Sequence, residues 1–159
     1  MARKAGELQI SRYHDPGEVR EKAHKDFGTE VDLLCEELMV NAIEERYPDD
    51  AILSEERGGA VSEGGRTWLL DPVDGTANYM KANPMFCACV TVVERGSVTH
   101  AAVAAPCLGD LYHARSGGGS YKETGRTEIP LHVSDTKRLE YAGADLSLHD
   151  EVLKTLQSA

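Results

Sequence analysis

The segment from Trp68 to Tyr79 constrains the fold more than any other part of the sequence. It reads WLLDPVDGTANY, so an apolar run ends in a carboxylate and a second carboxylate follows three residues later. Thr67 to Leu70 is typical of a buried strand, and Pro72, which has no backbone N–H, predicts its end. Gly75 permits a turn that other residues disfavour, and Thr76 is a candidate N-cap for the next element. We therefore predict a sharp turn directly after a buried strand.

This turn carries groups that suit a metal ion and a phosphate. Asp71 and Asp74 offer carboxylate oxygens at one strand exit, and hard divalent cations prefer oxygen ligands. The backbone N–H groups of Gly75 and Thr76 suit a phosphate, and a metal beside a phosphate indicates phosphoryl chemistry. A turn rich in Asp, Pro and Gly also has a purely conformational explanation, because these residues favour turns. The short motif leaves both interpretations open.

The longer string resembles the signature of the inositol monophosphatase family. That signature is a Trp, two or three apolar residues, Asp-Pro-apolar-Asp-Gly-Thr, a variable residue, Asn and an aromatic residue. Every one of its positions is filled between Trp68 and Tyr79. Phosphatases with an aspartyl nucleophile use Asp-x-Asp-Gly-Thr instead. Here Pro72 stands two residues before Asp74, so that nucleophile is missing.

The resemblance extends from about residue 2 to about residue 135 and implies an α+β fold. This is the layered helix and antiparallel-sheet fold of the sugar phosphatases, shared with fructose-1,6-bisphosphatase, of which the chain would be the N-terminal half. The resemblance also implies Mg²⁺-dependent hydrolysis of a phosphate monoester by an enzyme that is commonly a homodimer. Inositol monophosphate leads as substrate. Fructose 1,6-bisphosphate, histidinol phosphate and 3′-phosphoadenosine phosphates, the last cleaved by 3′(2′),5′-bisphosphate nucleotidases, remain alternatives.

The resemblance also assigns roles to individual residues. Glu55 and Thr76 would orient a water molecule that the cation makes more acidic, with Asp74 as the third catalytic residue. The phosphate would meet the N–H groups of Gly75 and Thr76. The implied Mg²⁺ ligands are the side chains of Glu55, Asp71 and Asp74 and the backbone carbonyl of Val73.

Asp32 has two possible roles. Thr29 to Asp32 (TEVD) is similar to a capping box, and apolar residues then recur at helical spacing, which predicts a helix over residues 30–46. Capping would by itself explain Asp32. The family carries Thr-Glu-x-Asp at this place with its Asp beside the metal site, so the resemblance implies an outer-shell role. It also makes Lys22 and Lys25 the basic residues nearest the site, although a solvated surface position is expected for at least one of them.

The remaining pattern predicts short elements. We expect a helix at residues 2–13, a loop from His14 to Lys25, a flexible glycine-rich flap from Gly58 to Gly65 and a glycine-rich hairpin at Ser116 to Tyr121. Strands are predicted at 51–53, 86–94, 97–105, 111–114 and 129–133, and a weak helix at 149–157.

Composition limits the partners and the compartment. The 159 residues carry a formal net charge of -10, which disfavours nucleic acid or an anionic membrane as a partner. No apolar run approaches ~18 residues, and the N-terminus lacks an apolar signal region. The four cysteines show no CxxC spacing, and Cys87 and Cys89 are predicted to be core thiols on one strand face. We expect a cytoplasmic protein with reduced thiols.

One part of the family pattern is missing. The family has a second signature, Trp-Asp followed by small residues and Gly, whose Asp is a metal ligand. Trp68 is the only tryptophan, so this motif does not occur downstream. We therefore expect residues 1–159 to be a single N-terminal metal- and phosphate-binding domain without the C-terminal domain, which selects the substrate alcohol. Activity is expected to require that half. The alternative is a catalytically inactive metal- and phosphate-binding module with a regulatory role.

Overall fold

The computed structural model describes residues 1–23 and 26–133, so the helix predicted at 149–157 lies outside the described residues. Helices and strands combine in an α+β fold. These described residues form three α-helices, α1 (Ala2–Ser11), α2 (Glu30–Glu44) and α3 (Thr76–Met80), with a 3-10 helix at Pro106–Leu108. The strands are β1 (Val19–Ala23), β2 (Asp26–Thr29), β3 (Ala51–Ser54), β4 (Gly58–Gly59), β5 (Arg66–Asp74), β6 (Cys87–Glu94), β7 (Ser97–Ala105), β8 (Asp110–Arg115), β9 (Gly119–Thr124) and β10 (Thr127–Leu131).

Eight of these strands form one mixed sheet. Their order is β10-β9-β8-β7-β6-β5-β3-β4, and β1 and β2 form a separate antiparallel pair. The expectation of an antiparallel sheet is correct except at one place, because β3 and β5 run parallel. The parallel pairing brings the ends of β3 and β5 to the same edge of the sheet, next to each other.

Helices α1 and α2 pack on the same face of this sheet, where α2 contacts β5 and α1 contacts β6 and β7. The alternation of buried and half-buried side chains along β6 shows why the helices pack on this face. Ala88, Val90 and Val92 are buried, while Cys87 and Cys89 are half-buried. Side chains alternate between the two faces of a strand, so one face of β6 joins the core and the other faces outward. The catalytic residues predicted from the sequence lie at the end of this layered unit.

The structure corrects two sequence-based predictions in this region. The segment from His14 to Lys25 is not a plain loop, since β1 lies within it and pairs with β2. Pro72 does not end the strand, because β5 continues to Asp74. The pairing of β5 with β6 is irregular between Asp71 and Asp74, so Pro72 sits where the missing N–H removes no regular ladder bond. Within the described residues, no helix is long and apolar enough to cross a membrane.

Helix α1 holds this irregular stretch in place through Gln9, which is fully buried. The Gln9 Nε2 group donates hydrogen bonds to the carbonyl of Pro72 at 2.7 Å and to the carbonyl of Cys87 at 3.2 Å. The hydroxyl of Tyr79, in α3, donates to the backbone carbonyl of Gln9 at 2.8 Å. Gln9 thus ties the end of β5, the start of β6 and α3 to one helix.

We expect Gln9→Met to lower the free energy of unfolding by about 1–3 kcal/mol, because two buried carbonyls lose their donor while the side-chain volume is kept. Urea unfolding measures the difference. Ser11→Ala on the same helix is the control, since Ser11 is exposed. Equal stability of Gln9→Met and the wild type would show that these hydrogen bonds do not hold the strand exit.

Candidate metal and phosphate site

The irregular pairing at the end of β5 places two aspartates on one face of the sheet. Asp71 pairs with Cys89 and Asp74 pairs with Cys87. Cys87 and Cys89 are two residues apart on β6, so they share a face. Asp71 and Asp74 are three residues apart and would point to opposite faces of a regular strand. The extra residue in the bulge turns Asp74 to the same face as Asp71.

Asp71 is in an environment that disfavours its charge. Its Oδ1 atom is buried and has no hydrogen-bond partner among the described residues. Burial, followed by the negative charges of Glu55 and Asp74, raises the pKa of Asp71 to about 7. A buried carboxylate oxygen without a partner next to two further carboxylates suits a divalent cation, which would satisfy the oxygen and neutralise the repulsion.

Glu55 follows the last residue of β3, beside Asp71. Ser54 pairs with Leu70 in the parallel register, and the Glu55 N–H donates to the carbonyl of Leu70 at 3.2 Å. The Glu55 side chain is 45% exposed, and Lys22 Nζ donates to its Oε1 at 3.3 Å. Glu55 therefore reaches the same sheet edge as Asp71 with its carboxylate turned toward Lys22.

Lys22 also forms an ion pair with Glu56. Burial lowers the pKa of the ammonium, but the hydrogen bond and charge of Glu56 raise the pKa more, so Lys22 stays protonated. Lys22 therefore lies beside the predicted site, as the resemblance implied. Lys25, the other basic residue considered, lies outside the described residues.

Gly75 and Thr76 form the turn into α3. Gly75 is the N-cap residue and has φ 92°, the left-handed region that favours glycine. Thr76 is the first helical residue, so the prediction that it caps the helix is wrong. Its hydroxyl lies 2.9 Å from the carbonyl oxygen of Val73 and 3.0 Å from Asp32 Oδ1, and it donates its proton to this pair. The first N–H groups of a helix have no partner within the helix, so Thr76 presents a donor at this end.

Asp32 caps α2 and also contacts the turn after β5. It is 1% exposed, and its Oδ2 accepts hydrogen bonds from the N–H of Thr29 at 2.9 Å and from the Thr29 hydroxyl at 2.5 Å. The first of these bonds is part of the capping box of α2. Its Oδ1 accepts the hydrogen bond from Thr76. Asp32 therefore joins the start of α2 to the turn after β5, and its outer-shell role toward a metal stays a prediction.

The backbone at Gly75 excludes any larger residue. A Cβ atom there would lie 2.8 Å from the carbonyl oxygen of Met85. We expect Gly75→Ala to lower the free energy of unfolding by about 2 kcal/mol or more, measured by urea unfolding. Gly96→Ala is the matched control, because Gly96 has φ 77° and open space around it. Equal losses in the two variants would mean that strain, and not the close approach to Met85, explains the glycine.

Cys87 and Cys89 are not the core thiols that the sequence predicted. Both are half-buried, on the face of β6 that carries Asp71 and Asp74. Cys87 Sγ lies 3.5 Å from Asp74 Oδ2 and 3.6 Å from Cys89 Sγ. The hydrogen bond between the thiols lowers the pKa of Cys89 and, with burial, raises the pKa of Cys87. Only the strand register reveals this neighbourhood, since Cys87 is thirteen residues from Asp74 in sequence.

An open cleft of about 400 Å³ adjoins the predicted ligands. Ser54, Glu55, Asp71 and Cys89 are among the residues that line it. A larger cavity of about 540 Å³, around Tyr47, Arg66 and Trp68, contains none of the predicted ligands. The smaller cleft is thus the one that a ligand of this site would enter.

The predicted residues are brought together to different degrees. Glu55 and Asp74 both act on Asp71 through their charges, and Thr76 contacts both Val73 and Asp32. In the described part of the chain, two groups of three residues have possible metal-ligand atoms within 4.8 Å of one another. They are Asp74 with Cys87 and Cys89, and His113 with Glu123 and Glu128. The carboxylate oxygens of Glu55, Asp71 and Asp74 therefore do not all lie within 4.8 Å of one another.

A family profile and individual relatives both match the sequence of this chain. The profile of the Inositol monophosphatase family matches residues 1–156. The fructose-1,6-bisphosphatase/inositol-1-monophosphatase of Thermotoga maritima is 33% identical over 135 residues, which are 84% of this chain and 52% of that protein. The Nus factor SuhB of Pseudomonas aeruginosa is 35% identical over 166 residues, covering 99% of this chain and 59% of the relative.

Solved structures agree on the fold. The Thermotoga maritima IMPase superposes with a TM-score of 0.76 at 33% identity, over 87% of this chain and 53% of that one. The SuhB protein of Mycobacterium tuberculosis gives a TM-score of 0.70 at 27% identity, over 87% of this chain and 51% of its own. The chain thus spans little more than half the length of these relatives. With a family profile that covers nearly all of its residues, the chain belongs to the inositol monophosphatase family.

Proposed function

We propose that this chain is the metal- and phosphate-binding part of a Mg²⁺-dependent phosphatase that hydrolyses a small phosphate monoester with water as the nucleophile. The observation that supports the proposal most is the position of Asp71. Its buried Oδ1 has no partner among the described residues, and its charge is opposed by Glu55 and Asp74. A buried carboxylate opposed by the charges of two further carboxylates costs stability, and a bound cation would remove that cost.

The donor set fits Mg²⁺. Glu55, Asp71 and Asp74 would hold the ion together with the carbonyl oxygen of Val73, which keeps one lone pair after accepting the Thr76 hydrogen bond. All four are oxygen donors, the type that Mg²⁺ prefers. When bound, the ion would supply charge stabilisation on the phosphoryl group and would make water more acidic.

The other site residues would position the reacting groups. The Thr76 hydroxyl donates its proton to Val73 and Asp32, so its oxygen lone pairs are free to accept a hydrogen bond from the attacking water. Glu55 would orient the same water and hold its proton. The N–H groups of Gly75 and Thr76 would donate to the phosphoryl oxygens as charge develops on them. Asp74 would take part in the reaction as a ligand of the cation.

The substrate class is a small phosphorylated polyol or sugar. Relatives named fructose-1,6-bisphosphatase/inositol-1-monophosphatase and histidinol-phosphatase support this class, the latter at 31% identity over 122 residues. We place the reaction in the cytoplasm, where the four thiols would stay reduced, and expect the active species to be a homodimer.

Phosphate release from a panel of esters tests the proposal. Any phosphate that the purified chain releases from inositol monophosphate or a related ester should depend on Mg²⁺. Asp74→Asn should lower the rate by at least about 100-fold, because it removes a carboxylate ligand of the cation that would stabilise charge on the phosphoryl group. A second measurement keeps the test informative: inorganic phosphate should raise the melting temperature only when Mg²⁺ is present. Absence of both effects would refute the proposal.

A second candidate function is binding without catalysis. The similarity to proteins named Nus factor SuhB favours it, since that name describes a factor and not an enzyme. The same measurements separate the two functions. A joint effect of Mg²⁺ and phosphate on the melting temperature, without phosphate release from any ester, would favour the binding role for this chain.

A further inference from the structure

Asp74 has two close neighbours that the phosphatase proposal does not use. They are the thiols of Cys87 and Cys89, at the start of β6. The three possible ligand atoms, a carboxylate oxygen of Asp74 and the two sulfurs, all lie within 4.8 Å of one another. Cys87 and Cys89 share the sheet face of Asp74 because of the bulge described above, so the trio is built by the backbone register and does not depend on a mobile loop.

The spacing of these atoms matches the edges of a tetrahedral zinc site. At the tetrahedral angle, two sulfurs about 2.3 Å from zinc lie about 3.8 Å apart, and a sulfur and an oxygen about 2.0 Å from zinc lie about 3.5 Å apart. The observed distances are 3.6 Å between the two sulfurs and 3.5 Å between Cys87 Sγ and Asp74 Oδ2. Two edges of the tetrahedron are therefore already present.

The groups are also accessible to an ion. Cys87 and Cys89 are half-buried and Asp74 is exposed, and Cys89 lines the open cleft of about 400 Å³. Thiolate ligands favour Zn²⁺ and other soft cations over Mg²⁺, which prefers oxygen. The two sulfurs therefore give this group a preference for Zn²⁺ over Mg²⁺ that a cluster of carboxylates alone would not have.

We propose that Asp74, Cys87 and Cys89 bind Zn²⁺ in a three-ligand site whose fourth position is left to solvent. Binding replaces the two thiol protons, which pass to solvent, by one zinc ion, and no oxidation or reduction occurs. The site shares Asp74 with the proposed Mg²⁺ ligands, so occupation by zinc removes one carboxylate from the magnesium site. Zinc then acts as an inhibitor that competes with Mg²⁺.

Cobalt(II) is the probe for this site, because it replaces zinc and reports thiolate ligands by absorption. The full chain is titrated with Co²⁺ in a Mg²⁺-free buffer that contains a phosphine reductant. We expect an intense sulfur-to-cobalt charge-transfer band that saturates at one ion per chain and disappears when Zn²⁺ is added. Cys87→Ser and Cys89→Ser should each weaken binding by at least about tenfold, since even outer-shell changes cost roughly 10–100-fold in metal sites.

Cys107→Ser is the matched control, because Cys107 is also half-buried but lies in the 3-10 helix away from Asp74. It should keep the band. Circular dichroism of each variant shows that it is folded. A wild-type protein without a thiolate band, or a band that survives in the folded Cys87→Ser, Cys89→Ser double variant, would overturn the proposal.

Binding of zinc does not depend on the proposed phosphatase activity, whereas its inhibitory effect rests on that proposal, and the test separates the two. Excess Mg²⁺ should lower the apparent affinity for Co²⁺ through competition for Asp74. A thiolate band that forms normally but does not respond to Mg²⁺ would support the zinc site and would remove Asp74 from the set of magnesium ligands.

Discussion

Asp71→Asn is expected to stabilise the metal-free protein by about 1–3 kcal/mol and to abolish its stabilisation by Mg²⁺. Asparagine keeps the shape of the side chain but removes a charge that is opposed by burial and by Glu55 and Asp74. The expected gain in the free energy of unfolding is smaller than the full pKa shift would give, because Asp71 is half-buried and solvent screens part of the repulsion. The loss of the Mg²⁺ effect follows because the variant has one carboxylate fewer for the cation.

The stability difference between Asp71→Asn and the wild type should also depend on pH in a defined direction. The pKa of Asp71 rises from 3.8 to about 7 on folding, so the folded protein binds more protons than the unfolded chain between these values. The contribution of Asp71 to stability is therefore present at low pH and is lost as the pH rises through about 7. Asp71→Asn lacks this loss, so its advantage over the wild type should be small near pH 4 and largest above pH 7.

Urea unfolding of the metal-free proteins at several pH values measures this advantage. Asp49→Asn is the control, because Asp49 is an exposed carboxylate in the turn before β3. It should change stability little and leave the response to Mg²⁺ intact. An Asp71→Asn variant that is less stable than the wild type above pH 7 would contradict the electrostatic description of this site.

Asp32→Ala is expected to lower the free energy of unfolding by about 3–5 kcal/mol. The substitution removes the capping carboxylate of α2 and leaves the buried Thr29 hydroxyl and N–H without their acceptor. It also removes one of the two acceptors of the Thr76 hydroxyl and leaves a small cavity, since Asp32 is only 1% exposed. Thermal and urea unfolding should both report the loss.

A double-mutant cycle separates the cap from the link to the turn. Asp32→Ala and Thr76→Val should be coupled by about 1 kcal/mol, because each removes the same hydrogen bond. Thr76→Ser keeps the hydroxyl and should keep the coupling with Asp32. Strictly additive effects of Asp32→Ala and Thr76→Val would mean that Asp32 serves only as the cap of α2.

The sequence predicted the local elements well where one physical signal dominates. The 3.6-residue repeat after Thr29 predicted α2, and the apolar run before Asp71 predicted the core of β5. The family signature identified the segment around Asp71 and Asp74. It did so because a long motif encodes the turn, the carboxylates and the helix start together.

The features that the sequence could not predict depend on pairing between distant segments. The side-chain direction of Asp74 is set by the bulge opposite Cys87 and Cys89, and a bulge is not visible in a single strand. The role of Gln9 was missed for the same reason, because a polar residue in a short helix is usually exposed. The missing N–H of Pro72 predicted a strand end for a related reason. The irregular register that accommodates a proline within β5 cannot be seen in the sequence.

The most direct test of the central claim is binding of Mn²⁺, a paramagnetic substitute for Mg²⁺, followed by electron paramagnetic resonance. We predict that the chain binds Mn²⁺ and that Mg²⁺ displaces it. Glu55→Gln, Asp71→Asn and Asp74→Asn should each weaken binding by at least about tenfold, and Asp49→Asn should not. If the three site variants bind Mn²⁺ as well as Asp49→Asn does, these carboxylates do not form one cation site.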